Sequence, residues 1–258
     1  MSGRSNIEWT ETTWNPTTGC TKISSGCKNC YAQNWAHMQQ KRGISQYKSG
    51  FELALAPNRL EDPIKWKKPK MVFVNSMSDV FHKAIPSNYL ESIFEVMNNT
   101  PWHTYQILTK RIERILETNS KMLWSENIWL GVSVEDKTTI QRIELLKSSS
   151  AKVKFISFEP LLESLGSLDL NGIDWVIVGG ESGGSARKLE KEWVLEIMSQ
   201  CKNKNIPFFF KQWGKRIFNP DPTDPTMDRP HPHYARGGCM IDKEIIREFP
   251  KKTYGLTN

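Results

Sequence analysis

Three cysteines stand close together, Cys20, Cys27 and Cys30, in the runs Gly19-Cys20 and Gly26-Cys27-Lys28-Asn29-Cys30. Their spacing is Cys-x6-Cys-x2-Cys. Thiolates are soft ligands that select iron–sulfur clusters or zinc. The Cys27-x2-Cys30 pair can set two sulfurs on one ion or cluster face, and Gly19 and Gly26 permit a tight loop. Structural zinc requires a fourth ligand. His37 is seven residues on, while His82, His103, His231, His233 and Cys239 are remote candidates. A three-thiol loop without an adjacent fourth ligand fits a cubane cluster with one iron left open. Zinc and plain buried thiols stand as the alternatives. The chain has five cysteines, an odd number and unevenly placed, which in a reducing compartment points to a metal site more than to disulfides. Cys201 continues a helical apolar stripe and reads as a core residue; Cys239 is ambiguous, with a surface thiol as its plainest reading.

A second set of chemically able residues follows the β-rich runs. Ser76, Ser78 and Asp79 come after the first such run; Thr109, Lys110 and Arg111 after the second; Ser133 and Glu135 after the third. Glu159 follows the fourth, Gly179, Gly180, Glu181 and Ser182 the fifth, and Lys211, Gln212 and Trp213 the sixth. Ser and Asp there could equally cap the next helices. The glycine-rich turn lacks the Lys-Ser/Thr of a P-loop and the spacing of a dinucleotide fingerprint.

The elements that must position these residues are legible from periodicity. Short apolar runs at residues 71–75, 104–108, 128–132, 153–158, 175–178 and 207–210 read as strands. Between them lie helical stripes: Leu90, Ile93, Phe94 and Met97; Ile112, Ile115 and Leu116; Ile140, Ile143 and Leu146; Val194, Ile197, Met198 and Cys201. Alternation of this kind implies βαβ units and a parallel sheet. Polar groups after every strand suit a barrel, whose strand ends all converge on one face, better than an open sheet. The expected fold is therefore α/β, a full or partial (β/α) barrel over residues 1–215, entered by the cysteine loop. The stretch from Asn219 to Pro232 carries five prolines, so residues 216–258 read as an irregular C-terminal extension packed on the barrel, with Phe249 and Tyr254 as anchors.

Lys and Arg number 35 against 28 Asp and Glu, a net charge of +7. That excess favours an anionic partner such as a nucleotide or nucleic acid, unless it is only a solvated surface. Lys110, Arg111 and Lys211, with Arg187 and Arg216 beside them, are the candidates to meet a phosphate or carboxylate. No apolar run approaches a membrane span, and residues 1–11 lack the apolar centre of a signal peptide; a cytoplasmic protein with no membrane partner is expected.

The frame Asn15-Pro16-Thr17-Thr18-Gly19-Cys20 … Gly26-Cys27-Lys28-Asn29-Cys30-Tyr31-Ala32 resembles that of radical S-adenosylmethionine enzymes, especially the spore-photoproduct-lyase-like branch. The whole chain is similar to the phage and prophage three-cysteine-motif family of radical-SAM-like proteins. The likeness runs through Val74-Asn75-Ser76-Met77-Ser78-Asp79, Leu108-Thr109-Lys110-Arg111, Gly131-Val132-Ser133-Val134-Glu135, Phe158-Glu159-Pro160-Leu161, Gly179-Gly180-Glu181-Ser182-Gly183 and Phe210-Lys211-Gln212-Trp213-Gly214. Two departures stand out: three extra residues separate the first two thiols, and Asn29 sits where an aromatic residue is usual. The resemblance implies a [4Fe–4S] cluster on Cys20, Cys27 and Cys30, S-adenosylmethionine as cofactor, and an electron donor such as flavodoxin or ferredoxin. It implies Ser76, Ser78 and Asp79 at the cofactor's ammonium, Ser133 or Glu135 at its ribose, and Gly179, Gly180 and Glu181 near its adenine. It also favours modification or repair of a nucleic-acid base.

Overall fold

The computed structural model of the chain describes residues 5–118 and 121–251; Tyr254 lies outside them. Eleven strands and five α-helices follow one another among these residues. Short β1 (Thr12–Trp14) and β2 (Thr17–Thr18) precede the cysteine loop, α1 (Tyr31–Lys41) follows it, and β3 (Ala54–Leu55) pairs back on β2. The repeating part is β4 (Met71–Val74), α2 (Ser87–Asn98), β5 (Thr104–Thr109), α3 (Ile112–Thr118), β6 (Ile128–Ser133), α4 (Gln141–Lys147), β7 (Val153–Phe158), β8 (Trp175–Val178), α5 (Lys191–Asn203) and β9 (Phe208–Phe210). A small hairpin, β10 (Met240–Ile241) with β11 (Glu244–Ile245), lies in the tail.

Seven strands form one parallel sheet in the order β1-β4-β5-β6-β7-β8-β9. Among the described residues no strand is inserted out of turn, so this sheet shows no point of reversal of the kind where an open α/β sheet holds its ligand. The sheet curls into a half-barrel. Trp9 shows the curl directly: its ring touches Phe73 of β4, Phe155 of β7 and Trp175 of β8, at centroid distances of 4.6, 6.4 and 6.3 Å. Strands so far apart in a flat sheet could not share one neighbour.

Alternation along each strand divides the two faces. Val72, Ile107, Leu130, Ile156, Phe158 and Val176 face outward and bury the stripes of the helices, including Leu90, Ile93, Ile143, Val194 and Ile197. The opposite residues fill the concave side. At its base Trp9, Phe73, Trp129, Phe155, Trp175 and Phe209 form an aromatic plug, each ring contributing about 1.5–3 kcal/mol by burial. One register step up, Ser133 of β6 lies level with Ser157 of β7, so the interior turns polar toward the carboxyl ends of the strands.

The expected strands are all present, with ends shifted by a residue or so. β4 stops before Asn75 because that residue adopts φ +60°, a left-handed conformation that Asn tolerates and that turns the chain at once. β1 and α1 escaped the sequence reading: β1 has only three residues, and α1 buries only Ala32, Ala36 and Gln39, too small a face to register as a stripe. Beyond β9 the chain returns along that strand's edge, with an antiparallel bridge between Phe209 and Arg247, and Phe249 packs 5.3 Å from both Trp175 and Phe209.

Gly131 lies mid-strand in β6, where a Cβ would come within 2.4 Å of the Phe155 ring. A backbone forced that close has no room for a side chain. Gly131→Ala should lower stability by about 1–3 kcal/mol, read from urea unfolding followed by tryptophan fluorescence. A variant as stable as the parent would show that the aromatic plug is not tightly packed.

Candidate functional site

The cysteine loop has little structure of its own, so its position is set by what grips it. Its leading edge is laced to the turn after β4. Asn75 Nδ2 donates to Thr17 Oγ1 at 2.7 Å, the Met77 amide donates to Asn15 Oδ1 at 3.0 Å, and the Ser78 hydroxyl donates to the Gly19 carbonyl at 2.7 Å. Gly19 has φ +80°, and a Cβ there would lie 1.9 Å from the Glu52 carbonyl oxygen, so only glycine fits before Cys20.

Three carboxylates at strand ends then hold the loop. Asp79, after β4, accepts from the Phe81 and Lys110 amides, from Thr109 Oγ1 at 2.8 Å and from Arg111 Nη1 at 3.3 Å. The same guanidinium reaches Cys20 Sγ at 3.4 Å and the Thr21 carbonyl at 2.8 Å. Glu135, after β6, is fully buried and accepts from Ser24 Oγ at 2.8 Å, from Arg142 Nη1 at 2.8 Å and from Lys110 Nζ at 3.0 Å. Its neighbour Asp136 accepts from the Ser25 hydroxyl. Glu181, after β8, accepts from Asn29 Nδ2 at 2.9 Å and is paired with Arg187, whose Nη2 also donates to the Ser25 carbonyl at 3.0 Å. Ser24, Ser25 and Asn29 surround Cys27, so this half of the loop hangs on two posts.

Cys20, Cys27 and Cys30 all line one cavity of about 230 Å³ at the open end of the half-barrel. Of the other residues singled out in the sequence, Ser76, Ser78, Asp79, Lys110, Arg111, Ser133, Gly180, Glu181 and Lys211 line it as well. Glu135 and Gly179 do not. Glu135 is engaged beneath the loop, and a Cβ on Gly179 would meet Glu159 Oε1 at 2.7 Å, so this glycine serves the packing of β8 against its neighbours. Gly180 likewise has Trp213 backbone where its Cβ would stand.

The cations expected to meet a substrate are occupied. Lys110 pairs with Glu135, Arg111 with Asp79 and Lys211 with Glu159 at 3.0 Å. Arg216 pairs with Asp228 on the exterior. Each carboxylate buried at a strand end demands a positive partner, and these are the partners. Cys239 is fully buried, not a surface thiol, with its sulfur 3.4 Å from the His233 carbonyl. Cys201 is core. Trp213, fully buried and packed edge-on against Phe210 at a centroid distance of 4.6 Å, fills the rim. Among the described residues no three His, Cys, Asp or Glu side chains converge closely enough to hold a single metal ion.

Ser157 and Tyr31 line the cavity and Arg142 lies beneath it, none singled out by the sequence, while Gln212, named among the strand-end residues, lines the cavity too. Ser157 donates to Glu159 at 3.0 Å from inside the barrel, and Tyr31 donates to the Ser76 carbonyl at 2.6 Å. Arg142, the second partner of Glu135, is hidden inside an apolar stripe, where only its burial marks it. Gln212 donates to the Gly180 carbonyl at 2.6 Å, while its Oε1 is buried with no partner. A buried acceptor left open is an invitation to a ligand's donor.

The electrostatics of the thiols differ. Burial pushes Cys20 up to about 11, against the pull of Arg111. At Cys27 burial also works upward, but the backbone hydrogen bonds at Ile23 and Ser24, the Lys110 charge and the Ser24 hydroxyl outweigh it, and the thiol is held below its usual range. Soft donors, unlinked by disulfides, with cations beside two of them and a shared cavity in front, fit a ligand set for an iron–sulfur cluster.

Residues 4–250 match a family model described as "Protein of unknown function (DUF5131)". The chain belongs to that family. No curated protein matches it. Among solved structures, this member of the family is similar to a spore photoproduct lyase variant with bound AdoMet and a dinucleoside spore photoproduct, at 12% identity and a TM-score of 0.43. The alignment takes in 74% of this chain and 61% of that one, so the chain spans less than two thirds of that structure's length.

Burial alone would raise the pKa of Glu135, yet Lys110 and Arg142 hold it below the usual carboxylate value of 4.5. A carboxylate depressed in the folded state stabilises above its unfolded pKa and loses that contribution as pH falls through the folded one. Glu135→Gln should therefore cost about 3–5 kcal/mol at neutral pH. The gap in urea midpoint between parent and variant should narrow below about pH 4.5. A gap that stays constant in acid would show that the charge on Glu135 is not what holds the loop.

Proposed function

We propose that this protein is a radical S-adenosylmethionine enzyme acting on an anionic substrate, a nucleotide or a nucleic acid. The observation that carries the proposal is the sharing of one cavity by Cys20, Cys27, Cys30 and the carboxyl ends of the parallel strands. The three thiolates would hold a [4Fe–4S] cluster. When bound there, such a cluster supplies one electron, drawn from a flavodoxin- or ferredoxin-like donor, to cleave S-adenosylmethionine into methionine and a 5′-deoxyadenosyl radical that takes hydrogen from the substrate.

The chain's own part is to bind, orient and exclude water. Arg111 and Lys110 offset the negative charge of a thiolate loop that is held beside three carboxylates. Asp79 already accepts two hydrogen bonds at each oxygen, so its task is to fix Arg111 against Cys20. The open acceptor Gln212 Oε1 suits an ammonium or hydroxyl of the cofactor, and the Ser133 and Ser157 hydroxyls stand level on adjoining strands for its polar groups. The aromatic plug closes the floor against water, which a reactive radical requires. Zinc in a purely structural loop is the rival reading.

Anaerobically reconstituted protein should be brown and carry about four irons per chain. Cys20→Ala, Cys27→Ala and Cys30→Ala should each abolish the colour, and Cys201→Ala should keep it. Asp79→Ala should weaken cluster retention, since it frees Arg111. Dithionite-reduced protein should form 5′-deoxyadenosine from S-adenosylmethionine. Stoichiometric zinc with no iron after reconstitution would sink the cluster, and a reduced, iron-loaded protein that leaves the cofactor intact would sink the radical step.

A further inference from the structure

Beside the thiol cavity lies a larger cleft of about 760 Å³ that the tail and the N-terminal segment wall off together. It shares Tyr31, Lys211 and Gln212 with the cavity, so the two open into one another. Its lining carries Arg229, Arg236 and Arg247. Among the described residues none of these three has a carboxylate within ion-pair reach, unlike Lys110, Arg111 and Lys211. Glu8 is the one acid of the lining.

Two of the arginines are held in place without using up their donors. Arg229 lies over the Tyr234 ring at 4.7 Å and Arg247 over Phe209 at 5.4 Å. Stacking occupies the face of a guanidinium and leaves its N–H edge to meet a phosphate. Arg247 spends Nη2 on the Lys211 carbonyl at 3.2 Å, and its buried Nε has no partner. Tyr31 is half exposed at the junction of cleft and cavity and offers a ring for a base to stack on.

We infer that the cleft is a second binding site, which takes a phosphodiester strand of nucleic acid and leads one nucleotide of it past Tyr31 to the thiol cavity. Three arginines without an ion pair, two on one loop and one on the returning segment, exceed what one phosphate needs even with Glu8 nearby, whereas a strand brings one charge per nucleotide. The inference rests on the cavity being the reacting site only for its destination; the cleft binds regardless of the cluster.

The test is fluorescence anisotropy with a labelled single-stranded oligonucleotide and the full chain, with and without reconstituted cluster, over a salt series. Three contacts predict a log–log salt slope of about −2. Arg229→Ala with Arg236→Ala, both exposed and so harmless to the fold, should weaken binding about tenfold or more and flatten the slope toward about −0.7. Lys67→Ala with Lys68→Ala removes the same charge from the opposite end of the strands and should change little. Equal losses in the two double variants, or no binding at low salt, would overturn the cleft. A mononucleotide that competes as well as the strand at equal phosphate concentration would overturn the strand. If binding follows the arginines but S-adenosylmethionine is never cleaved, the cleft stands and the radical reading falls; cleavage with binding indifferent to the arginines gives the reverse.

Discussion

An irregular polar loop can be placed accurately only if something rigid holds it, and here the rigid things are carboxylates at the ends of parallel strands. Asp79, Glu135 and Glu181 each follow a strand; Glu135 and Glu181 accept hydrogen bonds from the cysteine loop itself, and Asp79 fixes Arg111, which donates to that loop. Backbone carbonyls contribute where the chain has left the sheet, as Met77 does by accepting from the Gly19 amide at 3.0 Å, but those within the strands are committed to the sheet. Neutral side chains would grip less firmly, because a hydrogen bond to a charged acceptor is about twice as strong as a neutral one.

That choice imposes another. A carboxylate with little or no exposure is costly unless a cation meets it, so every post has a base: Arg111, then Lys110 with Arg142, then Arg187. Much of the chain's positive charge at the barrel mouth is thereby consumed in building the site. What the net charge of +7 leaves for a partner must be found elsewhere. Part of it stands on the tail, where Arg229, Arg236 and Arg247 line a cleft with a single acid.

The same logic explains what was legible in the sequence. Strands and helices showed because their periodicity records which face is buried, and β4 to β9 with α2 to α5 have long enough apolar stripes to reveal it. The thiols showed because their residue type and spacing are chemically specific. The roles of the strand-end residues did not, since a Ser, Asp or Lys after a strand looks the same whether it faces a ligand or a neighbouring loop. Asp79 was legible as a residue of the site but not as one whose oxygens are filled by the protein. Glu135 could not be told from a ribose ligand until Arg142, concealed within a helix stripe, was seen to meet it. The arginines of the tail lay in a stretch whose prolines mark a loop and give no hint of which wall it builds.

The gradient inside the half-barrel ties these levels together. A sheet that curls brings inward residues from distant strands into contact, so its base must be filled, and rings such as Trp9, Trp129 and Trp175 fill it. Gly131 exists because the Phe155 ring occupies the space its side chain would need. With the base plugged, the room inside the half-barrel lies at the carboxyl ends, where the interior has turned to Ser133 and Ser157. The strands that end there also carry the posts for the thiol loop. The arrangement of the site therefore follows from the curl: the half-barrel closes one end with rings, and the chemistry is confined to the other.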